Sequence, residues 1–194
     1  MNNMSKPLDV SAVVLSAKPV SIQLEHAKVV PFVSSFQSAD DLYAARLASL
    51  KEVSSEWMFF LDDDDQVSSN YRSVLEKAIA ADQPLAYSNE IIRTPGGKYV
   101  ISRKEPYSRK RHAQWHLMVH HLVLMKTEAA QRAAERVPSG RYFESVLFFE
   151  VARHGAAFID EVGYIWNKRF SGLHLNPTVA EAQHNSALWF LENM

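Results

Sequence analysis

Residues 56–65 read Glu-Trp-Met-Phe-Phe-Leu-Asp-Asp-Asp-Asp. A block of large apolar side chains, Trp57 to Leu61, has the composition of a buried strand. It ends abruptly in four adjacent carboxylates, Asp62, Asp63, Asp64 and Asp65. Four like charges side by side repel one another unless something cationic sits among them. Carboxylates at the carboxyl end of a buried strand suit a hard divalent ion, Mg²⁺ or Mn²⁺, which prefers oxygen ligands and shares them with substrate phosphates. The plainer alternative is a solvated acidic turn after a core strand, and the run by itself leaves both open.

The residues around this block alternate between strand and helix patterns. Asp9 to Ser16 and Lys28 to Val33 read as strands. Ser38 to Asp41 offer capping residues for a helix in which Leu42, Ala45, Leu47, Ala48 and Leu50 recur at helical spacing. Ser68 to Asn70 can cap a helix over 71–81. Leu85 to Arg93, the turn Thr94-Pro95-Gly96-Gly97 and Lys98 to Ser102 form a hairpin pattern. Residues 103–112 read as a polar, basic loop and His120 to Met125 as a strand. Thr127 to Arg136 and Phe143 to His154 read as helices, Gly155 as a C-cap and Ala157 to Trp166 as a further strand. This order predicts an α/β sheet core with helices around it. A domain over 1–176 and a helical tail over 177–194, packing on the domain or on a partner, are expected.

The chain has 194 residues, 47% hydrophobic and 22% charged, which is enough for one sizeable core. Its net charge of −1 gives no bulk attraction to nucleic acid or anionic membranes. The absence of cysteine removes disulfides, thiolate metal sites and a cysteine nucleophile. No apolar stretch is long enough to span a bilayer, and the first residues lack the apolar core of a signal peptide, so a soluble, cytoplasmic protein is expected.

The acidic block, preceded by a helix containing Ala44-Ala45-Arg46 and by Ser54-Ser55-Glu56-Trp57, resembles the middle of a family 2 glycosyltransferase of the GT-A type. Phe143-Glu144, Ala152-Arg153-His154-Gly155, Tyr164, Trp166 and Gly172-Leu173-His174 resemble that family's closing pattern. The resemblance spans roughly residues 10–175. It implies a GT-A-like nucleotide-diphospho-sugar transferase fold, a mixed central sheet flanked by helices. It also implies transfer of a sugar from a nucleotide-sugar donor, a UDP-sugar, to a hydroxyl acceptor with Mn²⁺ or Mg²⁺. Asp62 and Asp64 would be the D-x-D pair, and Asp63 would lie beside them at the donor. Asp64, Asp65 and His174 would hold the metal, Ser16 would lie near the uracil and Arg46 near the nucleotide. Glu144 would be the general base. The chain departs from the pattern in three places. It has no second acidic motif after the second strand, Leu47 follows the helix arginine where asparagine is common, and Ser145 follows Glu144 where aspartate is usual.

Trp115, His120 and His121 are expected on the acceptor side. If Trp115 to His121 were helical, His116 and His120 would share a face as zinc pairs do, but no glutamate follows His116 as a metalloprotease requires. The cations of the 103–111 segment (Arg103, Lys104, Arg109, Lys110 and Arg111), with Tyr107 among them, could grip a phosphate-rich acceptor or form a solvated loop. Three rivals follow: a transferase acting on modified bases of DNA, a non-catalytic carbohydrate- or partner-binding module on a degenerate transferase fold, and a metal-dependent phosphotransfer enzyme or nuclease. The last lacks the separated carboxylates and catalytic lysine that such chemistry calls for.

Overall fold

A computed structural model describes residues 8–169 and 176–194. Strand β1 (Val10–Ser16) pairs in parallel with β2 (Lys28–Val33) on one side and with β3 (Trp57–Asp62) on the other. Helix α1 (Ala39–Lys51) crosses between β2 and β3; the Ser38 side chain accepts from the Asp41 amide at its start, as the sequence predicts. After β3 come the short β4 (Gln66–Val67), α2 (Tyr71–Ala80), the long β5 (Leu85–Arg93) and its hairpin partner β6 (Tyr99–Ser102). Then follow α3 (Arg109–Gln114), β7 (Val123–Lys126), α4 (Thr127–Ala134), α5 (Phe143–Val151), β8 (Ala156–Asn167) and α6 (Pro177–Glu192). The sheet order is β2-β1-β3-β7-β5-β8-β4, with β6 against the far half of β5.

Alternation along the strands divides the core in two. Met58 and Phe60 of β3, with Val13, Leu15, Leu85 and Tyr87, pack beneath α1, α4, α5 and α6. Trp57, Phe59 and Leu61, with Val10, Ala12, Val14 and Ala86, pack beneath α2. A strand covered on both faces reads as an uninterrupted apolar run, which is why Trp57–Leu61 shows no polar alternation. Each such side chain contributes about 1.5–3 kcal/mol on burial. Among the described residues no helix is long and apolar enough to cross a membrane.

Two segments differ from the sequence expectation. Residues 109–114 form a helix rather than loop, because the Ser108 side chain accepts from the Arg111 amide and caps it. The strand expected from His120 begins only at Val123. His121 (φ 34°) and Leu122 (φ 36°) are both left-handed, so the chain turns there before it enters the sheet. Such backbone is costly for residues with a Cβ and persists only where the surroundings impose it. Gly163 of β8 makes room for this turn. A Cβ there would lie 2.2 Å from Leu122 Cδ2 and 2.7 Å from Ser88 Oγ, and both neighbours are buried. Gly163→Ala should therefore destabilise the chain by about 1–3 kcal/mol in denaturant unfolding; an unchanged midpoint would show that the turn adapts freely.

Candidate active site

Strand registers bring the site together at the carboxyl end of β3. Strand β7 runs antiparallel to β3, pairing Trp57 with Lys126 and Met58 with Met125. Ahead of β7 the chain turns at His121 and Leu122, and the turn leaves the His121 ring beside the carboxylates of Asp62 and Asp65. Strand β7 also runs antiparallel to β5, pairing Leu85 with Met125 and Tyr87 with Val123. His120, just before β7, reaches Glu90 of β5 through its side chain, Nδ1 to Oε2 at 3.1 Å. On the other flank β8 pairs Gln66 with Ile165 and Val67 with Tyr164, which brings Tyr164 and Asn167 against Asp64 and Asp65.

Each aspartate has a different environment. Asp62 Oδ1 accepts from Arg46 Nη2 at 2.8 Å. Asp63 is exposed, and its Oδ2 accepts from Ser16 Oγ at 2.5 Å. Asp64 Oδ2 pairs with Arg169 Nε at 3.0 Å, and its carbonyl accepts from Asn167 Nδ2 at 2.7 Å. Asp65 is buried; it accepts from the Tyr164 hydroxyl at 2.9 Å and the Asn167 amide at 2.7 Å. Burial, and then the negative charge of Asp62, push its carboxyl up to about 8. Burial and Asp62 also raise Asp64.

Arg46 joins the acidic run to α5. It is buried on α1 with its guanidinium 4.4 Å from the Phe60 ring centroid, and it ion-pairs with both Asp62 and Glu144. Its Nε and Nη1 have no hydrogen-bond partner. Burial raises the Glu144 carboxyl against the opposing pull of Arg46. Glu144 stands in the first turn of α5, where the helix dipole also favours a negative charge. Of the five carboxylates, Asp62 and Glu144 pair with Arg46 and Asp64 with Arg169, while Asp63 and Asp65 have only neutral partners among the described residues.

The histidines divide between two clusters. His121 stacks on Tyr164, with centroids 4.5 Å apart and planes within 2°. Its Nε2 is buried without a partner, and burial holds its basicity well below the ordinary imidazole value. Ligand atoms of Asp62, Asp65 and His121 all lie within 4.8 Å of one another, and so do those of Glu90, His120 and His121. His120 Nδ1 lies 3.1 Å from Glu90 Oε2, and Lys104 Nζ donates to Glu90 Oε1 at 2.9 Å and to the Leu117 carbonyl at 2.9 Å. Burial raises the Glu90 carboxyl, but its hydrogen bond to His120 and the charges of His120, His121 and Lys104 outweigh that and hold it at about 2.

The site residues expected from sequence are thus distributed as follows. Arg46 joins Asp62 and Glu144, Ser16 meets Asp63, and His121 lies beside Asp62 and Asp65. Trp115 is 47% exposed, with Lys104 Nζ 5.4 Å from its ring centroid. His174 lies outside the described residues. His116 begins a short 3₁₀ turn and shares no helix face with His120. The basic segment is partly committed within the protein, while Arg103, Lys110 and Arg111 are exposed. Lys104 is buried against Glu90, Arg109 donates to the carbonyls of Phe149 and Asn193, and Arg111 pairs with Glu105. Glu90 and Asn167 are not marked by any sequence motif, and Lys104 is marked only as one cation of the basic segment. An Asn89-Glu90 pair inside an otherwise apolar strand was the available signal, because buried carboxylates need partners.

No family model matches the chain, and no curated protein matches it. Solved structures do. S. aureus TarS 1-349 in complex with UDP-GlcNAc superposes over 84% of this chain and 59% of that one, at a TM-score of 0.60 and 11% identity. A second S. aureus TarS structure matches over 83% of this chain and 37% of its own, at 0.56 and 12%. TarS 1-349 in complex with UDP matches at 0.50 and 13%, over 74% of this chain and 44% of that one. The fold is GT-A-like. At these identities the likeness concerns the fold alone, and the chain spans about three-fifths of the first of these structures.

Proposed function

We propose that the protein is a metal-dependent glycosyltransferase that moves a sugar from a UDP-sugar to a hydroxyl acceptor. The observation that carries this reading is the pair Asp62 and Asp65, in excess negative charge at the end of β3, on a fold shared with structures solved with UDP and UDP-GlcNAc. The donor set fits a divalent ion: two carboxylates stand within reach of each other, and Asp65 ionises only with difficulty until a cation compensates it. Bound there, the ion would neutralise the diphosphate leaving group. Asp62 and Asp65 would hold it. Ser16 and Asp63, at the ends of β1 and β3, would face the nucleotide. Arg46 keeps Asp62 and Glu144 in place. Glu144, whose basicity burial raises, would take the acceptor proton. Trp115 and His120 would border the acceptor.

A second reading is a binding module that holds the donor without turning it over; the closure of Glu144 against Arg46 favours it. Nucleic acid as acceptor loses part of its support, because Lys104 and Arg109 are engaged internally, and only Arg103, Lys110 and Arg111 of the segment are left exposed. Release of UDP from UDP-GlcNAc with Mn²⁺ separates the first two readings. The expected result is turnover that Glu144→Gln slows about 100-fold or more with donor affinity kept. Mn²⁺-dependent donor binding with no UDP released, with or without sugar acceptors, would favour the binding module.

A further inference from the structure

We infer that His121 supplies an imidazole ligand to the metal bound by Asp62 and Asp65, and that the buried Lys104–Glu90–His120 chain holds the turn that presents it. The inference rests on the metal-dependent reading above, and it assigns a ligand that the family resemblance would instead place at His174.

The two candidate clusters share His121, so their charge balance decides between them. Glu90 is already neutralised: Lys104 Nζ lies 2.9 Å from one oxygen and His120 Nδ1 lies 3.1 Å from the other. The side chains of Lys104 and Glu90 are 1% and 2% exposed, so an added cation would meet a buried ammonium in a poorly screened setting. On the other side Asp62 shares one guanidinium, Arg46, with Glu144, and Asp65 has only neutral partners, the Tyr164 hydroxyl and the Asn167 amide. A cation therefore settles on the aspartate side, where a ring nitrogen of His121 lies within 4.8 Å of carboxylate oxygens of Asp62 and Asp65; the Nε2 of that ring is buried and unpartnered.

Glu90, His120 and Lys104 are then left with a positioning task. His121 and Leu122 hold left-handed backbone that nothing in their own chemistry favours. The residue before them is clamped by Glu90. Glu90 is fixed by Lys104, and the Lys104 amide is fixed by Asn89 Oδ1 at 2.7 Å. On the other side His121 lies flat on Tyr164, whose hydroxyl donates to Asp65. The imidazole is thus held between two anchors. Such outer partners orient metal ligands and typically change metal affinity 10- to 100-fold when removed.

The test uses the full chain with Mn²⁺ and UDP and reads the nitrogen coupling of bound Mn²⁺ by pulsed electron paramagnetic resonance. The wild-type signal should show an imidazole nitrogen, lost in His121→Gln and kept in His174→Gln. Loss in His174→Gln with retention in His121→Gln would overturn the assignment and leave the transferase reading standing. Failure of the wild type to bind Mn²⁺ would overturn both. For the positioning chain, the double variant Glu90→Leu/Lys104→Met removes both charges together, so no buried charge is left alone and the fold should survive. Its melting temperature should stay near the wild-type value while the Kd for Mn²⁺ rises about tenfold or more. A folded double variant with unchanged Mn²⁺ affinity would refute the positioning role.

Discussion

Asp65→Asn is expected to raise the melting temperature of the metal-free protein at pH 8 and to abolish its stabilisation by Mn²⁺. The folded chain holds the Asp65 proton to about pH 8, whereas an unfolded chain releases it near 3.8. Between those limits the native state binds the extra proton, so its stability is highest at the acid end and falls as pH rises towards 8. The loss is on the order of a few kcal/mol. Asp64 shifts in the same direction. Glu90 shifts the opposite way, but below its ordinary value, so it contributes nothing to the slope near neutrality. Asparagine keeps an acceptor for the Asn167 amide and carries no charge to desolvate. At pH 8 and in chelator the gain should be roughly 2 kcal/mol, about 5 °C for a chain of this size. Mn²⁺ should flatten the wild-type pH dependence and leave the variant unmoved. If Asp65→Asn is less stable than wild type at pH 8 without metal, the carboxylate is not under the strain described.

Arg46→Met should be the most damaging single change at the site. Arg46 is buried between Asp62 and Glu144 and also covers the Phe60 ring. Methionine fills much of its volume but leaves two carboxylates without their counter-charge. Breaking one partner out of a buried ionic group costs about 3–5 kcal/mol. The variant should unfold at markedly lower denaturant with an unchanged m-value. Adding Glu144→Gln should recover part of that loss, because one of the two stranded charges is removed; additive effects of the two substitutions would mean that Arg46 and Glu144 are not coupled.

These expectations rest on features that were unequally visible in the letters of the chain. The β3 block announced itself because five apolar residues followed by aspartates match a strand buried on both faces with its end at a ligand site. Arg46 and Glu144 stood out only through the resemblance to the glycosyltransferase pattern; no periodicity or local composition marked them as site residues. The position of His121 was not legible. Its place beside Asp62 follows from the antiparallel entry of β7 next to β3, a non-local pairing that no local pattern encodes. The left-handed pair His121–Leu122 interrupts a stretch whose composition reads as strand, and the cause lies in residues far along the chain, Gly163 and Glu90 among them. The basic segment misled for a related reason. Lys104 and Arg109 look solvated in sequence and become internal only because the β5–β6 hairpin returns Lys104 to Glu90 and the end of α6 brings the Asn193 carbonyl to Arg109.

Thermal-shift titration of the full chain with UDP, GDP and TDP, each with and without Mn²⁺, tests the central claim most directly, since a ligand selective for the folded state must raise the melting temperature. The account predicts a rise with UDP that requires Mn²⁺ and disappears in Asp65→Asn. An equal rise without metal, or no rise with any of the three nucleotides, would contradict it.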